Sequence, residues 1–252
     1  VGPWLERLVG VAQSHIRIRS RQRHRLVRIR LTMKLLAVSD EIVGFLYSPM
    51  VREQFSDVDL ILSCGDLPYY YLEFLVSMLD VPCYFVRGNH SAKTEYGVAG
   101  SRKYPWGAVD LHRRFATGPS GLLLAGFEGS LRYNLGPHQY TQSEYWSFVF
   151  GLVPRLMVNK SRHGRYLDIL ITHAPPWKVH DEQDLPHQGV KAYRWLIKVF
   201  KPAYLLHGHV HVYRNDTVTR SLVDSTIVEN VYRYKKIVIT IPETRKPAGE
   251  LP

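Results

Sequence analysis

The segment VDLILSCGD, residues 58–66, joins a short apolar run to an abrupt polar end. A continuous apolar run of this length, stopped by Gly65 and Asp66, is typical of a β-strand buried on both faces of a sheet. Four further segments have the same arrangement: residues 35–40, 81–90, 167–173 and 203–211. Helical patterns lie between several of these runs. The sequence therefore predicts an α/β domain with a mixed sheet system.

Helix signals support this alternation. Ser48-Pro49 indicates a helix over residues 50–55, and Thr141 with Glu144 indicates a capping box at the start of another helix. Two further segments carry apolar residues at helical spacing: residues 70–79 and 189–200. Past residue 211 the pattern changes to strands, at residues 225–231 and 235–241.

The net charge of +11 is concentrated at the amino-terminal end of the chain. Residues 1–32 contain eight arginines and one acid, a net +7, which leaves +4 for the other 220 residues. We therefore interpret residues 1–32 as a basic extension, 33–242 as the domain and 243–252 as a tail. A transit peptide and an arm that neutralises phosphates are alternative interpretations of the extension. The second of these would make nucleic acid a partner.

The cysteines and the apolar runs indicate the compartment. Cys64 and Cys83 lack further Cys or His at the spacing of a zinc site, so we predict buried free thiols in a reduced compartment. No uninterrupted apolar stretch approaches the ~20 residues needed to cross a bilayer. The apolar patch at residues 4–12 is interrupted by charges, unlike the core of a signal peptide. We expect a cytoplasmic protein without a membrane partner, and the oligomeric state stays open.

Potential metal ligands follow the carboxyl ends of five predicted strands. In open α/β sheets, ligands bind outside these strand ends. Carboxylate oxygens and imidazole nitrogens without thiolates suit divalent Mn, Fe or Zn. Side chains two residues apart in an extended segment share a face, so a His-x-His pair can point into one cleft. The candidate ligands are Asp40, Asp66, Asn89, His173, His209 and His211.

Four short motifs, in this order along the chain, resemble those of the calcineurin-like metallophosphoesterase superfamily. They are Gly65-Asp66, Gly88-Asn89-His90, Thr172-His173 and Gly208-His209-Val210-His211. The resemblance covers about residues 33–240. It implies a four-layer α/β/β/α sandwich of two mixed sheets with a two-metal site at the strand ends. It also implies hydrolysis of a phosphate mono- or diester by a metal-bound hydroxide.

The resemblance implies a role for each candidate residue. The carboxylate of Asp66 would bridge two divalent metal ions. His90 would stand beside the phosphate of the substrate, as a general acid or as an electrostatic stabiliser. The other candidates would each bind one ion: Asn89, His173 and His209 the first, Asp40 and His211 the second.

Two positions depart from the pattern of the family. Its first motif, Asp-x-His, reads Asp40-Glu41-Ile42 here, and an isoleucine cannot ligate a metal ion. Glu41 would point to the opposite face of an extended segment. The second metal site is therefore predicted to be weak. Ser91 stands where many members carry an acidic residue that supports the preceding histidine, so His90 lacks that support.

The loop of residues 126–134 follows a strand-like run and is expected near the cleft. Arg132 is predicted to clamp a phosphate group and Tyr133 to stack on a substrate base. A structural loop with a surface arginine is the alternative. Three consecutive tyrosines at residues 69–71 would line the mouth of the cleft or pack against the domain, and we favour packing for at least two.

Three functions are compatible with these patterns. The leading hypothesis is a metal-dependent phosphoesterase. A catalytically weakened binding module of the same fold is favoured by Ile42 and opposed by the other candidate residues. A nuclease that uses the basic extension is favoured by residues 1–32.

Overall fold

The computed structural model describes residues 30–97 and 100–242. Most of the predicted basic extension, residues 1–29, and the predicted tail, residues 243–252, lie outside the described residues. The first strand, β1 (Arg30–Ser39), begins three residues before the predicted domain start at Met33. It pairs along its whole length with the last strand, β15 (Arg233–Pro242).

The described residues form two main sheets and two small ones. The remaining strands are β2 (Leu60–Ser63), β3 (Cys83–Phe85), β4 (Glu95–Gly97), β5 (Gly100–Arg102), β6 (Ala108–Asp110), β7 (Phe115–Thr117), β8 (Leu123–Phe127), β9 (Ser130–Leu131), β10 (Gln139–Tyr140), β11 (Ile169–Thr172), β12 (Tyr204–His207), β13 (Arg220–Val223) and β14 (Thr226–Asn230). The helices are α1 (Met50–Gln54), α2 (Tyr69–Leu79), α3 (Gln142–His163) and α4 (Lys191–Phe200), with a 3₁₀ turn at Pro119–Gly121.

Both main sheets are mixed, as predicted. The first has the strand order β15-β1-β2-β3-β6, and only the pair β1–β15 is antiparallel. The second has the order β13-β14-β12-β11-β8-β7, with antiparallel strands at both edges. Two-stranded sheets formed by β4 with β5 and by β9 with β10 complete the structure.

Three apolar layers separate four layers of secondary structure. Along β1, Leu35 and Ala37 face the second sheet, whereas Leu36 and Val38 face α1 and α2. This alternation follows from the two-residue period of a strand. The second sheet packs its outer face against α3 and α4 in the same way. The predicted four-layer α/β/β/α sandwich is confirmed.

The helix signals are confirmed with one correction. Thr141 and Glu144 form the predicted capping box of α3. Ser48 does not cap α1, because its hydroxyl donates instead to the carbonyl of Phe45 at 2.7 Å and Pro49 occupies the N-cap position. Tyr69 and Tyr71 are buried and Tyr70 is exposed, which confirms packing for two of the three tyrosines. The two thiols are free and buried, also as predicted.

Candidate metal centre

Three of the candidate ligands adopt a left-handed backbone conformation within three residues of the end of a strand. The φ angle is 68° at Asp40, 54° at Asp66 and 70° at His209. Non-glycine residues in this region store strain of order ~1–3 kcal/mol and concentrate at functional sites. These turns bring the three residues together at the carboxyl-terminal ends of the strands of both sheets. Asp40 then accepts hydrogen bonds from the backbone N–H of His209 at 3.0 and 3.1 Å, which joins the two sheets at this edge.

Two glycines of the motifs leave the space that these side chains occupy. A Cβ atom on Gly88 would overlap Oδ1 of Asp66 and lie 2.7 Å from Cε1 of His173. A Cβ atom on Gly208 would overlap Oγ of Ser39 and lie 2.6 Å from Oδ2 of Asp40. Both positions therefore require glycine for close packing around the carboxylates.

Ligand atoms converge on the imidazole of His173, which is completely buried. Its Nδ1 lies 2.8 Å from the carbonyl of Cys64, and because a carbonyl only accepts, Nδ1 carries a hydrogen. The other nitrogen, Nε2, lies 3.1 Å from Oδ2 of Asp66 and 3.0 Å from Oδ1 of Asn89. With Nδ1 held by a carbonyl, Nε2 is the nitrogen that a metal ion would take, which is the usual arrangement of a metal-binding histidine. Atoms of Asp40, Asp66 and His173 all lie within 4.8 Å of one another.

The pKa values of His173, Asp66 and Asp40 are shifted by burial and by the charges of one another. Burial alone would lower the pKa of His173, but Asp66 and Asp40 raise it to about 9. Burial opposes ionisation of Asp66 as well, yet His173 holds the pKa of that carboxyl well below its usual range. The pKa of Asp40 is raised by burial. A proton on Nε2 of His173 thus sits where two oxygen ligands and a nitrogen ligand meet, and a divalent ion would replace it.

His209 lies beside this group. Its Nε2 donates to the carbonyl of Pro186 at 2.7 Å, so its Nδ1 keeps a free lone pair. The rings of His173 and His209 are 4.8 Å apart between centroids. Burial lowers the pKa of His209 to about 3, assisted by the charge on His173. A neutral ring with a free nitrogen is suited to bind a metal ion.

His211 and the residues around the missing histidine lie outside the group of Asp40, Asp66 and His173. The ring of His211 stacks on Tyr232 at 4.8 Å, and its Nδ1 lies 2.8 Å from the hydroxyl of Tyr213. Glu41 accepts from Tyr232 at 2.8 Å and pairs with Arg233. Ile42 packs against the apolar layer beneath α1 and α2. His211 therefore contacts Tyr213 and Tyr232, whereas Asp40, Asp66 and His173 lie together.

Asn89 is oriented by Tyr133, one of the two predicted substrate-binding residues. The amide Nδ2 of Asn89 donates to the tyrosine hydroxyl at 3.0 Å, which leaves Oδ1 directed at His173. Arg132, the other predicted substrate-binding residue, pairs with Glu144 at 3.0 Å and donates to the carbonyl of Gln139 at 3.3 Å. Its role as a phosphate clamp stays a prediction.

We expect Tyr133→Phe to weaken divalent metal binding by about 10–100-fold, the usual cost of losing a partner that orients a ligand. Without the hydroxyl, the amide of Asn89 can turn its NH₂ group toward the metal position. Competition with a metal-sensitive dye measures the affinity without any substrate. Tyr133→Phe keeps the aromatic ring, whereas Tyr133→Leu removes it. If Tyr133 only stacks on a substrate, Tyr133→Phe should leave the metal affinity and the KM unchanged. In that case only Tyr133→Leu should raise the KM.

A buried polar network that the sequence patterns did not reveal supports the loop carrying His90. Arg87, which precedes Gly88, pairs with Asp110 and lies 3.4 Å from Glu128. The carboxylate of Glu128 also accepts from Tyr140 at 2.6 Å and lies 3.0 Å from Nδ1 of His138. Because these partners come from separate loops, no local pattern in the sequence identifies them.

The acid stability of the protein should depend on Glu128. Burial raises the pKa of this carboxyl, but hydrogen bonds and charges from His138, His112 and Tyr140 lower it to about 2. A group with a lowered folded-state pKa stabilises the fold above its unfolded pKa of ~4.3 and loses that contribution as the pH falls toward 2. We expect Glu128→Gln to lose on the order of 3 kcal/mol at pH 7 and less than about 1 kcal/mol at pH 2.5.

Urea unfolding at both pH values measures this difference. The exposed Glu53, for which Glu53→Gln is the matched control, should show no such pH dependence. An equal loss of stability for Glu128→Gln at the two pH values would contradict a role of the ionised carboxylate.

The donor set fits a divalent metal ion. It combines two carboxylates, an amide oxygen and imidazole nitrogens whose tautomers are fixed by carbonyl groups, in a space that glycines keep open. A model of the calcineurin-like phosphoesterase family matches residues 33–213. This chain belongs to that family.

Solved structures support the fold of this calcineurin-like phosphoesterase. TT1561 of Thermus thermophilus is 15% identical, over 84% of this chain and 99% of that chain, with a TM-score of 0.55. Another solved structure is 16% identical, over 85% of this chain and 100% of that chain, with a TM-score of 0.57. A sequence comparison with curated proteins finds no significant match. Within the described part of the chain, every helix is too short or too polar to cross a membrane.

Proposed function

We propose that this calcineurin-like phosphoesterase hydrolyses a phosphate mono- or diester with the help of divalent metal ions. The observation that carries the proposal is the convergence of Nε2 of His173 with Oδ2 of Asp66 and Oδ1 of Asn89, at 3.1 and 3.0 Å. Oδ1 of Asp40 lies 4.0 Å from Nδ1 on the other side of the same ring, and the ring of His209 lies 4.8 Å away between centroids. We assign Asp66, Asn89, His173 and His209 to the better-assembled metal site, and Asp40 and His211 to a weaker second site.

We assign separate roles in this hydrolysis to the metal ions, to Asp66 and to His90. When bound, divalent ions polarise the phosphoryl oxygens and lower the pKa of a coordinated water to near ~7. Asp66 contributes negative charge at the centre of the site and holds the backbone of His90, whose N–H donates to Oδ1 of Asp66 at 2.8 Å. The side chain of His90 is exposed and is free to meet a substrate. We assign it the proton that the leaving alkoxide requires, because imidazole is the side-chain group best suited to proton transfer near neutral pH.

Metal analysis combined with two model substrates tests the proposal. The purified chain is analysed for Mn, Fe and Zn and is then assayed with 4-nitrophenyl phosphate and bis(4-nitrophenyl) phosphate. We expect at least one ion per chain, and turnover that EDTA abolishes and added Mn²⁺ restores. Asp216→Asn is a matched control, since Asp216 forms an exposed pair with Arg214 and should affect neither measurement. Metal-independent turnover, or a chain that binds none of these ions, would refute the proposal.

A weakened binding module is the second candidate. Ile42 in the apolar layer and His211 on Tyr232 favour it, because both reduce the ligands available to the second ion. This candidate predicts bound metal without turnover of either model substrate. The same experiment therefore separates the two functions.

A further inference from the structure

A polar groove of about 560 Å³ lies beside β13, at the edge of the second sheet. Its lining combines two cations, hydroxyl and imidazole groups and one carboxylate: Lys178, Arg194, Ser221, His180 and Asp224. Arg194 is half-buried and forms no hydrogen bond or ion pair with any residue of 30–97 or 100–242. An unpaired guanidinium on a groove wall favours an anionic ligand.

A directed chain of hydrogen bonds ends at Ser221 in this groove. Nδ1 of His207 lies 2.9 Å from the carbonyl of Gly208, and since a carbonyl only accepts, this nitrogen carries a hydrogen. In the neutral ring, Nε2 of His207 then accepts from Nδ1 of His180 at 3.0 Å. Nε2 of His180 is left with a lone pair, and it accepts from the hydroxyl of Ser221 at 2.9 Å. A single carbonyl thus fixes the tautomers of both rings and the direction of the serine proton.

The arrangement has the three parts of an activated nucleophile. A serine hydroxyl lies within hydrogen-bond reach of a base, and a third group orients the base. Here His180 is the base and the completely buried His207 is the orienting group. His180 has a φ of 58°, a left-handed conformation that stores strain. In this conformation one ring nitrogen of His180 contacts His207 and the other contacts Ser221.

We propose that Ser221, His180 and His207 form a second site, which hydrolyses a carboxylic ester whose acyl group carries a negative charge. The oxygen of Ser221 forms a bond to the carbonyl carbon while its proton moves to Nε2 of His180. The carbon–oxygen bond of the ester breaks, and the leaving alkoxide takes that proton. A water molecule then gives a proton to His180 and attacks the acyl carbon, and the proton returns to Ser221 as the acid leaves. Arg194 holds the anionic end of the acyl group.

Two activated esters test this site in the full chain. Mono-4-nitrophenyl succinate carries a carboxylate on its acyl group, and 4-nitrophenyl acetate does not. We expect mass spectrometry to find an acyl adduct on Ser221 in the presence of Mn²⁺ and of EDTA alike, so the result is independent of the proposed phosphoesterase activity. His180→Gln should slow acylation by about 10²–10⁴-fold, the usual effect of losing a general base. Arg194→Leu should slow the reaction of the succinate ester by at least about tenfold and leave that of the acetate ester unchanged.

Matched variants make the result decisive. Ser221→Ala should remove the adduct while melting at the temperature of the parent chain, because the hydroxyl lies on an edge strand. Ser225→Ala, at an exposed serine in the next turn, should change nothing. An adduct on Ser221 no more abundant than on Ser225, or one unchanged in His180→Gln, would overturn the proposal.

Discussion

Asp66→Asn is expected to abolish turnover of both model phosphate esters and most metal binding. The substitution keeps the size of the side chain but removes the charge that faces His173 at 3.1 Å. The carboxylate also accepts from the backbone of His90, so its loss affects the metal position and the loop together. We expect a fall in kcat/KM larger than the ~10–100-fold that follows loss of a partner outside the ligand shell.

A titration with Mn²⁺ shows whether metal affinity causes this loss. If Asp66 is a metal ligand, a high concentration of Mn²⁺ should restore part of the activity of Asp66→Asn. The same variant should stay inactive in EDTA. Asp216→Asn, at the exposed pair with Arg214, should behave as the unmodified chain. Full metal content together with full activity in Asp66→Asn would exclude Asp66 from the site.

His90→Asn is expected to keep the metal and lose the reaction. The contact between His90 and Asp66 uses the backbone N–H, which asparagine retains. A lost general acid should lower turnover by ~10²–10⁴-fold for alkyl phosphates, whose leaving alkoxide needs a proton. For 4-nitrophenyl phosphate the loss should be much smaller, because 4-nitrophenolate leaves without one.

The dependence on the leaving group distinguishes this role from a structural one. Turnover is measured for an alkyl and an aryl phosphate, with metal content determined on the same samples. His209→Ala is the contrasting variant, since loss of a metal ligand should reduce both reactions equally and reduce bound metal. An equal loss on both substrates in His90→Asn would show that His90 acts through stability or metal binding instead.

Strand signals were readable from the sequence because they are local. The runs before Asp40, Asp66 and His173 are apolar, short and stopped by turn residues, and each forms a strand, although β1 begins five residues before its predicted run. The capping box of α3 is equally local. The small strands between residues 95 and 117 were not predicted, because their residues are half-exposed and carry no clear period.

Local signals were wrong or silent where tertiary packing decides. α3 continues through Pro154, from Gln142 to His163, although proline removes a hydrogen bond inside a helix, and its apolar face is buried against the second sheet. Ser48 resembles a helix cap but bonds to Phe45 instead. Burial of the apolar face of α3 outweighs the cost of its proline, whereas Ser48 bonds to a carbonyl three residues earlier in the chain instead of to the helix N-terminus.

The sequence by itself determined the family, the four-layer fold and the residue types at the strand ends. These follow from local patterns and from motifs whose order survives along the chain. Only the tertiary structure decided which atoms meet: the convergence of Asp66 and Asn89 on His173, and the hydrogen-bonded chain from Gly208 to Ser221. Such contacts depend on turn angles, ring tautomers and the packing of distant segments, and none of these is encoded in a run of neighbouring residues.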